Sequence, residues 1–98
     1  MQIAYAGDEY ADINTTGWTL SSPSGDRTYE RYVVFQPPLA VLPVMHVALS
    51  VLDADATANV RVNVIATNVS TSGFSLRIEA WADTILYAVK ASWLAIVP

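Results

Sequence analysis

The chain has no cysteine, a single histidine and five basic residues against nine acidic ones. Each shortage removes a class of function. Without cysteine there is no disulfide framework and no thiolate nucleophile or metal ligand. With His46 as the one imidazole, a transition-metal site lacks the nitrogen and sulfur donors it needs. Arg27, Arg31, Arg61, Arg77 and Lys90 are scattered along a chain of net charge −4. The basic stripe of a nucleic-acid binder is therefore missing. Met1 to Glu9 shows neither a basic segment nor a long apolar run, so no signal peptide is expected. Membrane insertion is not expected either, and the compartment stays open. No stretch has helical spacing, and there is no internal repeat.

Charge is scarce as well. Charged residues make up 14% of the chain and hydrophobic ones 53%, where about 25% charged is usual. Residues 1–98 have the length of one domain. One small core does not absorb this many apolar side chains, and large exposed apolar patches are uncommon on monomers. An oligomer is expected.

What is present is a period of two. Tyr29 to Phe35 reads as a strand, stopped by Pro37-Pro38, which cannot donate ladder hydrogen bonds. Val41 to Leu52 is a long apolar run, expected to be a strand buried on both faces. Asn59 to Asn68 alternates, with Val60, Val62, Val64 and Ala66 on one side and Arg61, Asn63, Ile65 and Thr67 on the other. Gly73 to Ala82 alternates again, placing Phe74, Leu76, Ile78 and Ala80 inward and Ser75, Arg77, Glu79 and Trp81 outward. Ile85 to Ile96 closes the chain, and a further strand is expected within Tyr10 to Asn14. Gly17 to Arg27, built on Gly17, Ser21, Ser22, Pro23, Ser24 and Gly25, reads as a loop. Five or six short strands joined by turns describe an all-β, antiparallel sandwich.

Enzyme signatures are few. His46 sits among Val44, Met45 and Val47 and reads as an outward or interface residue. Asp53, Asp55 and Asn59 carry oxygen donors but lack the spacing and glycine of a calcium loop, so a solvated turn is expected. Paired carboxylates for glycoside hydrolysis need a cleft, which a small sandwich rarely offers. No enzyme is expected. Arg61, read as mid-strand between Val60 and Val62, is open to three roles: a solvated face residue, an interface ion pair or a ligand contact. Trp81 and Tyr87 are outward aromatics that either pack a subunit interface or form a stacking platform. Trp18 and Trp93 read as core or interface packing. Aromatic rings beside a carboxylate suit a sugar, which offers an apolar face and hydroxyls.

From Gly17 to Ala95 the chain resembles the H-type lectin domain family, to which the C-terminal domains of discoidins belong. The resemblance rests on Phe35-Gln36-Pro37-Pro38 followed by Pro43, Asp53 after the long strand, and Asn59-Val60-Arg61-Val62. It continues through the Asn68 to Phe74 turn, Trp81 with Asp83-Thr84, and Ser92-Trp93-Leu94-Ala95. It implies a six-stranded antiparallel β-sandwich assembling as a homo-trimer or, from two stacked trimers, a homo-hexamer. It also implies binding of terminal galactose or N-acetylgalactosamine on glycoconjugates, without metal or other cofactor, in shallow sites between subunits. A role in cell adhesion would follow. The sugar-contacting positions carried over are Gly25 and Asp26 in the first loop, Arg61, Trp81 and Tyr87. Some family members place a histidine directly after the tryptophan, against the acetamide group. Here that position is Ala82, which leaves the choice between the two sugars open. The alternative expectation is a structural oligomerisation domain of a surface or fibre assembly that binds no sugar.

Overall fold

The alternating segments become six strands, and no helix forms among the described residues. The structure is a computed structural model that describes residues 1–22 and 24–98. Pro23, counted among the turn residues of the first loop, lies outside them. The strands are β1 (Gln2–Asp12), β2 (Arg27–Val34), β3 (Val44–Ala54), β4 (Val62–Thr67), β5 (Gly73–Ala80) and β6 (Leu86–Val97). They form two three-stranded sheets of order β1-β6-β3 and β2-β5-β4, with every pairing antiparallel.

The core lies between the sheets and is set by the pleat. On β5, Phe74, Leu76, Ile78 and Ala80 are all buried, while Ser75, Arg77 and Glu79 keep partial exposure on the outer face. This is the division the alternation requires. One half of the core gathers Ala11, Leu20, Tyr29, Ile78, Ala80, Leu86 and Val89, with Trp18 packed against it. The other half holds Phe35, Phe74 and Trp93 among smaller residues. Phe74 meets Trp93 edge to face with centroids 5.2 Å apart, an arrangement the ring quadrupoles favour. The opposing strand makes room at Gly7, where a Cβ would stand 2.8 Å from the Trp93 ring.

Three expectations change. β1 extends back to Gln2 and so is far longer than the segment within Tyr10 to Asn14. Its partner β6 runs antiparallel beside it from Gln2↔Val97 to Asp12↔Ala88. The long apolar strand, β3, is not buried on both faces. It is an edge strand of its sheet, and most of its residues are exposed. Leu49 and Leu52 pair with the buried Ala91 and Val89. Both therefore point to the inner side of the sandwich, yet they remain 39% and 37% exposed. The facing edge strand β4 spans only Val62–Thr67 and does not cover them. Finally, Arg61 lies ahead of β4 rather than mid-strand. Its backbone N–H donates to the Thr84 hydroxyl instead of to the ladder with β5.

Antiparallel alternation gathers three connections at one end of the sandwich: residues 13–26, 55–61 and 81–85. Backbone hydrogen bonds tie them together. Ile13 N–H donates to the Tyr87 carbonyl, Leu86 N–H to the Leu20 carbonyl and Asp55 N–H to the Ile85 carbonyl.

Candidate functional site

All five residues expected to contact a ligand belong to this three-loop end or border it. Gly25 adopts φ +80°, a left-handed turn that glycine enters at no steric cost. Asp26 follows it and is exposed. Arg27, the first residue of β2, falls in the same inward phase as Tyr29 and Val33 and is only 8% exposed. Its Nε donates to the Gly25 carbonyl at 2.9 Å. Nη1 donates to the Thr84 carbonyl at 2.6 Å and Nη2 to the Ala82 carbonyl at 3.1 Å. A buried guanidinium is tolerable because carbonyl oxygens satisfy it, and here it joins the first loop to the third.

The third loop carries Trp81. This residue is 40% exposed, on the face that the alternation of β5 assigns to it. The next residue, Ala82, has φ +59°, which is uncommon away from glycine. Such a conformation persists only where its surroundings hold it, and the bond from Arg27 to the Ala82 carbonyl does so. Thr84 is wholly buried. Its hydroxyl accepts from Arg61 N–H at 2.9 Å and donates to the Asn59 carbonyl at 2.7 Å. The Arg61 guanidinium pairs with Asp83 Oδ1 at 2.7 Å. Arg61 is thus bound to the Trp81 loop through both its backbone and its side chain.

Asp26 and Trp81 line one shallow cleft of about 310 Å³, together with Arg27, Thr28, Arg77, Glu79 and Ala80. The sandwich therefore does provide a cleft, contrary to what its size implies, and Asp26 and Glu79 bring two carboxylates to it. Arg61 and Tyr87 are not among its lining residues. Tyr87 turns to the second loop, donating its hydroxyl to Asp55 Oδ2 at 2.8 Å. Accepting that proton makes Asp55 hold Tyr87 above the usual phenol range. Asp55 in turn lies below the usual carboxylate range, held first by the Thr57 hydroxyl, then by the Thr57 N–H, then by Tyr87. Asp55 therefore closes a local turn, as a solvated inter-strand connection requires. His46 is exposed on β3. Trp93 belongs to the core, and Trp18 packs on it while donating its indole N–H to the Leu86 carbonyl.

Two residues that organise the site were given no role of their own by sequence reasoning. Arg27 was legible in principle, since it shares the inward phase of β2. Thr84 had no such signal, because its role depends on a loop conformation. In chemical terms the end of the sandwich presents an exposed indole, an exposed carboxylate and a guanidinium held by a neighbouring acid. Those groups can hold a ring with one apolar face and several hydroxyls.

The sequence matches the H-type lectin domain family over residues 30–96. It is 35% identical over 80 residues to "ATP synthase subunits region ORF 7" of Fuscovulum blasticum, covering 82% of this chain and 70% of that protein. It is 32% identical over 87 residues to a discoidin-1 polypeptide of Dictyostelium discoideum, covering 87% of this chain and 34% of that one. Among solved structures it resembles recombinant discoidin II of the same organism with a TM-score of 0.75 and 21% identity. That match covers 95% of this chain and 37% of that one, and at this identity it is a likeness of fold. The chain spans about a third of the length of the discoidins it matches.

Proposed function

The chain belongs to the H-type lectin domain family of carbohydrate-binding proteins, and on that premise we propose that its three-loop end binds terminal galactose or N-acetylgalactosamine, without metal, between subunits of a homo-trimer or stacked pair of trimers. The observation that carries this reading is the exposed Trp81 indole, held on a strained turn and sharing a cleft with Asp26. Trp81 and Tyr87 supply the apolar contact. Asp26 accepts from two adjacent hydroxyls, and Arg61 donates back to them, the kind of charge-assisted pairing that outweighs neutral hydrogen bonds. Gly25 lets the backbone approach closely. The axial 4-hydroxyl of galactose points toward such a pair and the equatorial one of glucose does not, so glucose leaves site groups unpaired. Within one chain Arg61 is turned to Asp83 and lies outside the cleft lined by Asp26 and Trp81. A neighbouring protomer completing the site accounts for that separation.

Calorimetry with monovalent galactose and N-acetylgalactosamine tests this. A shallow site starts near millimolar affinity, about 4 kcal/mol. Truncating one member of a partly buried charged set costs about 2–4 kcal/mol, so Asp26→Ala or Arg61→Ala abolishes measurable binding. Chelator leaves it unchanged. Unaltered binding by both variants would place the site elsewhere. Turnover of a chromogenic galactoside would contradict a purely binding role.

A second reading has one observation in its favour. The uncovered apolar residues of β3 suit an oligomerisation domain that binds no sugar. Absence of binding to every glycan on an array would favour it.

A further inference from the structure

We propose that the Arg77–Glu79 end of the cleft that Asp26 and Trp81 open, on the outer face of the β2-β5-β4 sheet, is a second subsite that takes a neutral sugar residue linked to the terminal one. This rests on the reading of the three-loop end as the terminal-sugar site. The two share a wall, because Trp81 lines the cleft and also stands at the loop end. The floor is built by the outward row of β5. Arg77 and Glu79 lie there, with Thr28 and Asn63 beside Glu79 on the flanking strands and Glu30 beside Arg77.

The groups on this floor are oriented but not saturated. The Asn63 amide donates to Glu79 Oε1 at 3.0 Å and fixes that carboxylate. Arg77 Nε lies 3.3 Å from Glu79 Oε2 and 3.7 Å from Glu30 Oε1. This Nε is buried and makes a hydrogen bond to neither oxygen. Among the described residues the Arg77 guanidinium donates no hydrogen bond at all. A row of cross-strand ion pairs on a sheet face is ordinarily a solvated surface of little energetic weight. This row differs because it floors a cleft closed at one end by an exposed indole. The cleft, about 310 Å³, falls at the small end of the range for small-molecule sites. A fixed carboxylate beside a guanidinium with free donors matches a pair of neighbouring hydroxyls, one donating and one accepting.

The charge decides the class of sugar. Asp26 and Glu79 line the cleft against Arg27 and Arg77, and the Arg27 guanidinium is spent on backbone carbonyls, which leaves Arg77 facing two carboxylates. A carboxylated or sulfated residue meets net repulsion here, whereas a neutral one does not.

The test is calorimetry on the assembled protein with three probes: methyl galactoside, a neutral galactose-terminated disaccharide and its sialylated counterpart. The neutral disaccharide is expected to bind about tenfold tighter than the monosaccharide, the order of gain from one added charge-assisted pair. Arg77→Met keeps the apolar stem, and Glu79→Gln keeps an acceptor for Asn63. Each is expected to erase the gain while leaving the monosaccharide affinity within about twofold. A disaccharide that binds no tighter than the monosaccharide overturns the subsite alone, as does a gain that survives both variants. Tighter binding of the sialylated probe overturns the assignment to a neutral residue. If no galactoside binds the parent protein, the terminal-sugar reading falls and takes the subsite with it.

Discussion

The Arg27 guanidinium donates to the Thr84 carbonyl at 2.6 Å, joining residues 57 positions apart, and both are out of solvent. The same side chain reaches Gly25 and Ala82. One cation therefore locks the loop that carries Asp26 to the loop that carries Trp81. Site geometry and fold stability are joined at this residue.

Arg27→Ala strands the buried Thr84 carbonyl and frees the part-buried carbonyls of Gly25 and Ala82. Hydrogen bonds from a charged group, with the desolvation left behind, amount to about 3 kcal/mol. In a domain of this size that lowers the Tm by roughly 12–24 °C. Arg27→Lys is expected to recover only part, because an ammonium cannot fork toward two loops. Thermal unfolding at a fixed protomer concentration checks this. A loss under about 1 kcal/mol would mean that water satisfies the carbonyls once the side chain is gone.

Thr84 fixes Arg61 from below, through a hydroxyl that both accepts and donates. Thr84→Val preserves shape and removes that hydroxyl, leaving a part-buried N–H and a part-buried carbonyl without their partner, at a cost at the low end of about 1–3 kcal/mol. Thr84→Ser is expected to restore both bonds. Hydrogen exchange at the Arg61 amide separates a local role from general destabilisation. Protection is expected to fall in the valine variant and to stay in the serine one. Unchanged protection in the valine variant would show that the amide does not depend on Thr84.

The strands were legible because period two reports the pleat directly, and Phe74, Leu76, Ile78 and Ala80 lie where the alternation puts them. Burial of whole strands was not. Val41 to Leu52 reads as interior by composition, but composition does not reveal that β3 lies at a sheet edge opposite a shorter strand. Arg61 shows the same limit at the site. The alternation continues through it, yet Thr84 takes its backbone N–H and the ladder starts only at Val62. Asp83 stood in the sequence as one residue of a resemblance, and its partnership with Arg61 needed the loop geometry.

Asp55 gives the site end a pH signature. Its pKa is lowered by Thr57 first and Tyr87 last. A carboxyl depressed in the folded state contributes stability that is present above its unfolded pKa and lost as pH falls through the folded one. Acidification below the ordinary carboxylate range is thus expected to loosen the 55–61 loop. Tyr87 is raised by its bond to Asp55, so its contribution is present below the unfolded phenol pKa and lost as pH rises through the folded value. Carboxyl titration by NMR tests the order of causes. Thr57→Val is expected to move the Asp55 pKa up by more than Tyr87→Phe does, and the reverse ranking would contradict the hydrogen-bond assignment.

Leu52 tests the assembly on which the shared sugar site depends. It points to the inner side of its sheet, where β4 does not reach, and it lies on an edge strand with Leu49 and Val51 also exposed. From Tyr32 to Leu52 and from Val62 to Leu76 the chain has no Asp, Glu, Lys or Arg. The β3–β4 side can therefore meet a second copy of itself without charge repulsion. Covering the 37% of Leu52 that stays exposed contributes about 0.5–1 kcal/mol per protomer, and an unpaired charge in its place costs more still. Leu52→Lys is expected to convert a trimer or hexamer into monomers in light scattering. Thr16→Lys, on an exposed turn, is expected to leave assembly intact. The monomeric variant should also lose galactose binding while retaining its strand signal, because Asp26 and Arg61 are no longer completed across subunits. A parent protein that is a stable monomer at micromolar concentration would remove the inter-subunit site. A lysine variant that assembles normally would move the interface away from β3.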